Sequence, residues 1–155
     1  MRIELEAFGD VQFAREILRA GANAGNMRPA FDKVHDALRN VEKAQFSTQG
    51  HAFSGGWAPL APSTVSYKAR RGLDPRVLHA TLRLRPSFTT KGNPDHVYRV
   101  TQNEMFVGSS VPYARFHQLG TAKMPRRRPF ELDDVARQMV VKILQQHLFS
   151  NGPIL

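Results

Sequence analysis

His96-Val97-Tyr98-Arg99-Val100-Thr101-Gln102-Asn103-Glu104-Met105-Phe106-Val107-Gly108-Ser109 is the stretch on which the fold turns. Residues 96–102 and 105–109 are short, apolar-rich runs of the kind that form strands, and Asn103-Glu104 between them is turn chemistry. A further run at 87–91 ends before Asn93-Pro94-Asp95, a second turn. The three runs in succession predict an antiparallel meander over residues 87–110.

The regions on either side read as helices. Upstream, Pro29 suits a first helical turn, and Phe31, Val34, Leu38, Val41 and Gln45 recur at steps of three and four, with Asp32, Lys33, Asp36, Arg39 and Glu42 opposite. This helix is predicted to end near Phe46. Before it, Asp10 can cap a shorter helix striped by Val11, Ala14, Ile17 and Leu18, its end loosened by Gly21 and Gly25. Downstream, residues 131–148 line up Leu132, Val135, Met139, Ile143 and Leu144, with Asp133 and Asp134 at the positive end of the helix dipole and Asn151-Gly152-Pro153 as a stop. Arg2-Ile3-Glu4-Leu5-Glu6-Ala7-Phe8 alternates charged with apolar side chains, the period of a strand with one wet face.

Between these elements lie two irregular stretches. Residues 47–62 hold three glycines and two prolines and no steady period. Ser63 or Thr64 can cap a short helix through Tyr67, Lys68 and Arg71, and residues 76–85 form a second helical segment ended by Pro86. Residues 111–130 mix aromatics, a lone glycine, three prolines and Arg126-Arg127-Arg128, a surface suited to meeting a partner. The expectation is a single α+β domain over 1–155: strand and helices to 50, a Gly/Pro-rich loop with short helices over 51–86, a small antiparallel sheet over 87–110, a basic interface loop over 111–130 and a C-terminal helix over 131–149. The N-terminal and C-terminal helices are expected to pack the sheet.

Composition narrows the function. The 155 residues carry a net charge of +9. Residues 1–50 hold seven Lys/Arg and seven Asp/Glu, whereas residues 66–128 hold thirteen basic and three acidic residues. That asymmetry fits either a solvated basic surface or an anionic partner, nucleic acid or an acidic protein face. Lys68, Arg70, Arg71, Arg83 and Arg85 are the candidate contacts to DNA or to such a face. Zero cysteines exclude thiol nucleophiles, disulfides and cysteine-ligated zinc. The six histidines lack metal-ligand spacing, and no phosphate-binding loop, Gly-x-Ser-x-Gly or His-Glu-x-x-His occurs, so neither an enzyme nor a cofactor is expected. No membrane span or signal peptide is visible. Trp57, behind Gly55-Gly56 and pinned by Pro59 and Pro62, can either lock its loop onto a core or anchor an interface.

Taken in order, these pieces resemble the virion-morphogenesis proteins of tailed bacteriophages, the tail-completion and neck group. Gly56, Trp57, Pro59, Leu60, Pro62, Thr64 and Lys68 match its glycine turn and Trp-x-Pro-Leu-x-Pro-x-Thr pattern. Val77-Leu78, Thr81-Leu82-Arg83-Leu84 and Ser87-Phe88 match its Ile-Leu, Thr-Gly-Arg-Leu and Ser-hydrophobic steps, with Leu82 where the group has glycine, a departure that suggests continued helix there. Val107-Gly108-Ser109, Tyr113-Ala114, His117-Gln118, Gly120, Pro125, Arg128 and Phe130 complete the match, which covers residues 50–148. The resemblance implies a structural virion protein, assembled in host cytoplasm into a homo-oligomeric, sixfold ring at the head-tail junction or tail end. Its partners would be copies of itself, connector or head-closure and tail-tube proteins, and genomic DNA in a channel. On this reading Trp57, Tyr113, Phe116, His117, Arg126, Arg127, Arg128 and Phe130 form the subunit interface. A basic nucleic-acid-binding module in phage assembly is the alternative.

Overall fold

The computed structural model describes residues 10–52 and 55–149, with the side chains of 10–14 excepted. The predicted strand at 2–8, the Asp10 cap with Val11 and Ala14, and the stop at 151–153 lie outside what it describes. The elements in order are α1 (Asp10–Ala24), α2 (Arg28–Ser47), α3 (Pro62–Arg70), α4 (Leu84–Thr89), β1 (His96–Val100), β2 (Met105–Ser109), α5 (Ala114–Leu119) and α6 (Asp134–Leu148). The fold is a small α+β fold built on one antiparallel hairpin, paired His96↔Ser109 through Val100↔Met105.

The long helix α2 is the centre. One side meets α6, and the other meets α4 and the hairpin. Because it is covered on two sides, its buried set is Ala30, Val34, His35, Leu38, Glu42, Gln45 and Phe46, wider than the apolar stripe of the sequence. Glu42, expected on the wet face, is 1% exposed and neither carboxylate oxygen has a hydrogen-bond partner among the described residues. Burial pushes its pKa up to about 8, so the group is largely protonated at neutral pH. The C-terminal helix thus packs on α2 rather than on the sheet. It turns Ala136 fully inward, half-buries Leu132, Met139, Ile143 and Leu144, and leaves Val135 71% exposed. Asp133 is its N-cap, accepting from the Ala136 N–H at 2.7 Å.

Two further expectations change. Residues 87–91 are not a third strand: Leu84–Thr89 is a helical turn with Pro86 near its start, where a missing N–H does no harm. Leu84 and Phe88 project into the core at the i, i+4 spacing. The Ser87 hydroxyl bonds Leu84 O (2.6 Å) and Ser109 Oγ (2.7 Å), and Thr89 Oγ1 donates to Arg85 O (3.0 Å). Nor is residues 76–85 a helix until its last two positions. Leu78 and Leu82 have φ of 61° and 52°. Leu82 therefore turns the chain in the left-handed region that glycine would favour, and the suggestion that leucine extends a helix is overturned.

The main core joins the loops. Phe46, Trp57, Val77, Leu84, Phe88, Val111 and Ala114 cluster, with Leu60, Leu78, Tyr113 and Phe130 packed around them. Phe46 meets the Trp57 indole edge-on at 5.3 Å between ring centroids. The hairpin is fastened to α2 by polar contacts. His35 stacks on Tyr98 at 3.9 Å, and its Nε2 lies 2.8 Å from Nε2 of His96, whose Nδ1 is 2.8 Å from Ser87 O. A carbonyl only accepts, so the neutral pair holds one arrangement: His96 donates from Nδ1 and accepts from His35 Nε2–H. Burial, then His96, lowers the His35 pKa to about 4.

Helix α1 departs most from expectation. It packs against α6, where Asn23 Nδ2 donates to His147 O and Leu148 O. Its predicted inner residues Ile17 and Leu18 are 55% and 72% exposed.

Candidate functional site: residues 111–130 and the loop they hold

The segment predicted as an interface loop contains a helix, α5, because Val111 and Ala114 are drawn into the core and the chain winds between them and Gly120. Gly120 ends the helix with φ 76°, and a Cβ there would lie 3.0 Å from Arg126 N. Only glycine lets the returning chain come this close. Thr121 and Met124 close a small turn by two backbone bonds, 2.8 and 3.2 Å, which lifts Lys123 to the surface.

The return strand is tied down at successive residues. Arg127 N–H donates to His117 O (2.9 Å), and its guanidinium donates to Ala58 O and Pro59 O, both at 2.7 Å. Arg128 O accepts from Trp57 Nε1 (3.1 Å) and Gln45 Nε2 (3.4 Å). Gln118 clamps Phe130 twice, donating to its carbonyl at 2.7 Å and accepting from its N–H at 3.3 Å. The Gly/Pro-rich loop around Trp57 is thereby stitched to the basic segment.

These bonds sort the sequence candidates. Trp57 is 8% exposed and Arg127 6% exposed, each engaged inside the subunit. Lys68, offered as an anion contact, is 4% exposed and donates to Asp74 O (2.9 Å) and Arg76 O (2.6 Å); burial lowers its pKa. Arg83 is paired with Asp95 at 2.6 Å and Arg128 with Glu131 at 2.5 Å. Tyr113, His117 and Phe130 are half-buried. The surface is left to Phe116, with Arg115 stacked over its ring at 4.7 Å, to Arg126, and to Arg70 and Arg71, while Arg85 is half-buried.

A cleft of about 280 Å³ opens between the two stitched segments, walled by Leu60, Leu78, Leu84, Tyr113 and Met124. Lys68, His117 and Arg127 also line it, and His117 Nδ1 is buried without a partner among the described residues. Burial and the Arg127 charge lower the His117 pKa, so the ring is held neutral beside the buried cation. Among the described residues no group of three His, Cys, Asp or Glu could hold a metal, and no helix is long and apolar enough to cross a membrane. Sequence reasoning missed Gln118 and the exposed Leu119. The His-Gln-x-Gly step was the available signal for the clamp, since an amide pairs with a backbone N–H and C=O together.

No curated protein and no solved structure matches the chain. A model of the phage virion morphogenesis family matches residues 10–149, a span that contains both stitched segments, the hairpin between them and all the helices described above. The chain therefore belongs to the phage virion morphogenesis family, and its part is in building the virion.

Proposed function

We propose that this protein is a non-enzymatic ring subunit at the head-tail junction or tail end of a tailed phage, in the neck, tail-completion or tail-terminator position. The observation that carries the reading is the rigid frame just described. It presents Phe116, Leu119 and Arg126 on a basic surface while Arg127, Trp57 and Gln118 hold that surface in shape. A closed ring needs two different surfaces that meet, and exposed aromatic and arginine side chains on a preorganised segment suit one of them. The other surface would come from the neighbouring copy, and connector and tail-tube proteins would stack on the ring faces. Counting this protein against the portal in purified particles by quantitative mass spectrometry tests the reading. A closed sixfold ring gives about six copies per particle; absence from particles overturns it.

Arg70 and Arg71 support a second, compatible contact. Both are exposed at the end of α3, and neither has an ion-pair partner among the described residues. Genomic DNA passing through the ring would meet them as a phosphate backbone. DNA affinity of the assembled protein should then fall steeply with salt and weaken on Arg70→Glu/Arg71→Glu.

A further inference from the structure

We infer that the free edge of β2 in one copy pairs antiparallel with the free edge of β1 in the next, setting Glu104 beside the neighbour's Arg99, so that the hairpins run on into one sheet around the assembly. The inference deepens the ring reading above and rests on it.

Both edges of the hairpin have backbone groups to share. Thr101 N–H donates to Glu104 O at 2.8 Å and Ser110 N–H to Asp95 O at 2.9 Å, so the odd-numbered residues of β1 and the even-numbered residues of β2 bond each other. The N–H and C=O of Tyr98 and Val100 therefore point away from the hairpin on one side, and those of Met105 and Val107 on the other. Among the described residues nothing pairs with them. No residue of β1 or β2 is buried within the subunit. A two-stranded ribbon is marginal in water, and an open edge is a template for another strand.

The two edges are also complementary in charge. His96 and Tyr98 lie on the face toward α2, so alternation puts Arg99 on the outer face, together with Phe106 across from it and Glu104 two residues before Phe106. Arg99 and Glu104 are exposed, and neither has an ion-pair partner among the described residues. One unpaired cation thus stands on β1 and one unpaired anion at the start of β2, on the same face of the ribbon. Pairing β1 with β1 of another copy around Tyr98 and Val100 brings Arg99 against Arg99, and pairing β2 with β2 leaves both charges unpaired. Either arrangement also stops at two copies, whereas unlike edges continue from copy to copy as a closed ring requires.

The ends of the β1 edge select the register. His96 N–H is taken by Asn93 O at 2.9 Å, and Gln102 O accepts from Met27 N–H at 2.8 Å, so the free length lies between them. Outward groups meet, and outer faces stay on one side, only in registers that differ by two residues. The one that places Met105 across from the neighbour's Tyr98 keeps the incoming turn short of Gln102 and its bond to Met27. It sets Glu104 directly across from the neighbour's Arg99 as a non-hydrogen-bonded pair, in which side chains approach most closely and opposite charges are favourable. A shift of two residues the other way runs the turn onto Met27 and moves Glu104 off Arg99.

Charge exchange between copies tests the pairing. Arg99→Glu and Glu104→Arg proteins are assembled separately and as an equal mixture, and size is followed by light scattering against concentration. Each variant alone sets like charges across every junction and should need a concentration at least about tenfold higher than wild type. In the mixture an alternating ring restores an opposite pair at every junction, and assembly should return to within about threefold of wild type, although the charges within each hairpin stay mismatched. The chain has no native cysteine, so separately tagged Glu104→Cys and Arg99→Cys proteins, mixed and oxidised, should give a disulfide-linked heterodimer carrying both tags. Single variants that assemble like wild type overturn the pairing, as does a mixture no better than its components, and both results leave the ring reading intact. So does a disulfide-linked Arg99→Cys homodimer in place of the heterodimer, which assigns the contact to like edges. A wild type that stays monomeric at every concentration and with its virion partners removes both readings.

Discussion

Replacing Glu42 by glutamine should make this protein more stable, and by an amount set by pH. The carboxyl has an ordinary pKa of 4.5 and a folded value of about 8. Its folded pKa is raised, so the folded state holds more protons between these limits. The stability it permits is full below pH 4.5 and is lost as pH rises toward 8, at about 1.4 kcal/mol per pH unit. His35 and His117 run the other way: their folded pKa values are lowered from 6.5, so stability is lost as pH falls below that value. Glu42 and the histidines oppose each other on the acid side, and Glu42 acts alone from 6.5 to 8. Wild-type stability should therefore fall by about 1 kcal/mol between pH 6.5 and pH 8. Glutamine cannot ionise, and its gain over wild type should grow from under about 1 kcal/mol at pH 5 to about 3 kcal/mol at pH 7. Taking the difference between the two proteins cancels every other titrating group. Urea unfolding at pH 5, 6, 7 and 8 measures it. Parallel pH profiles for Glu42→Gln and wild type would refute the argument that this carboxyl is buried without a partner.

The remaining predictions concern the backbone and the stitched loop. Leu82→Gly should stabilise by about 1 kcal/mol, because φ 52° is strained for leucine and the side chain is mostly exposed; thermal unfolding that shows a loss would assign the leucine a packing role. Arg127→Ala leaves Ala58 O and Pro59 O without their charged donor and should cost about 3 kcal/mol by urea titration. Gly120→Ala forces a Cβ against Arg126 N and should lower stability by at least about 1 kcal/mol, an effect absent if the turn simply opens. Phe116→Ser with Arg126→Glu should leave the melting temperature of the isolated subunit within about 2 °C and weaken ring assembly, read by sedimentation.

The sequence by itself determined the elements whose signals are local. Helix α2 with Pro29 at its start, the hairpin turning at Asn103-Glu104, the body of α6 and the irregular course from 47 to 62 follow from period and turn chemistry. These act within a few residues. The order of motifs from Gly56 to Phe130 likewise carried the family, since it needs no knowledge of contacts. Tertiary structure alone decided which polar groups are inside. Glu42 is buried because α2 is covered on two sides, and Lys68 and Arg127 because the loop carbonyls of Asp74 and Arg76, and of Ala58 and Pro59, take their hydrogens. Residues 87–89 form a helical turn rather than a strand because Leu84 and Phe88 must both reach Phe46, and Leu82 turns left-handed to let them. Periodicity reports the face a segment can bury. Which faces are buried is a property of the neighbours, and those are set only when the whole chain has packed.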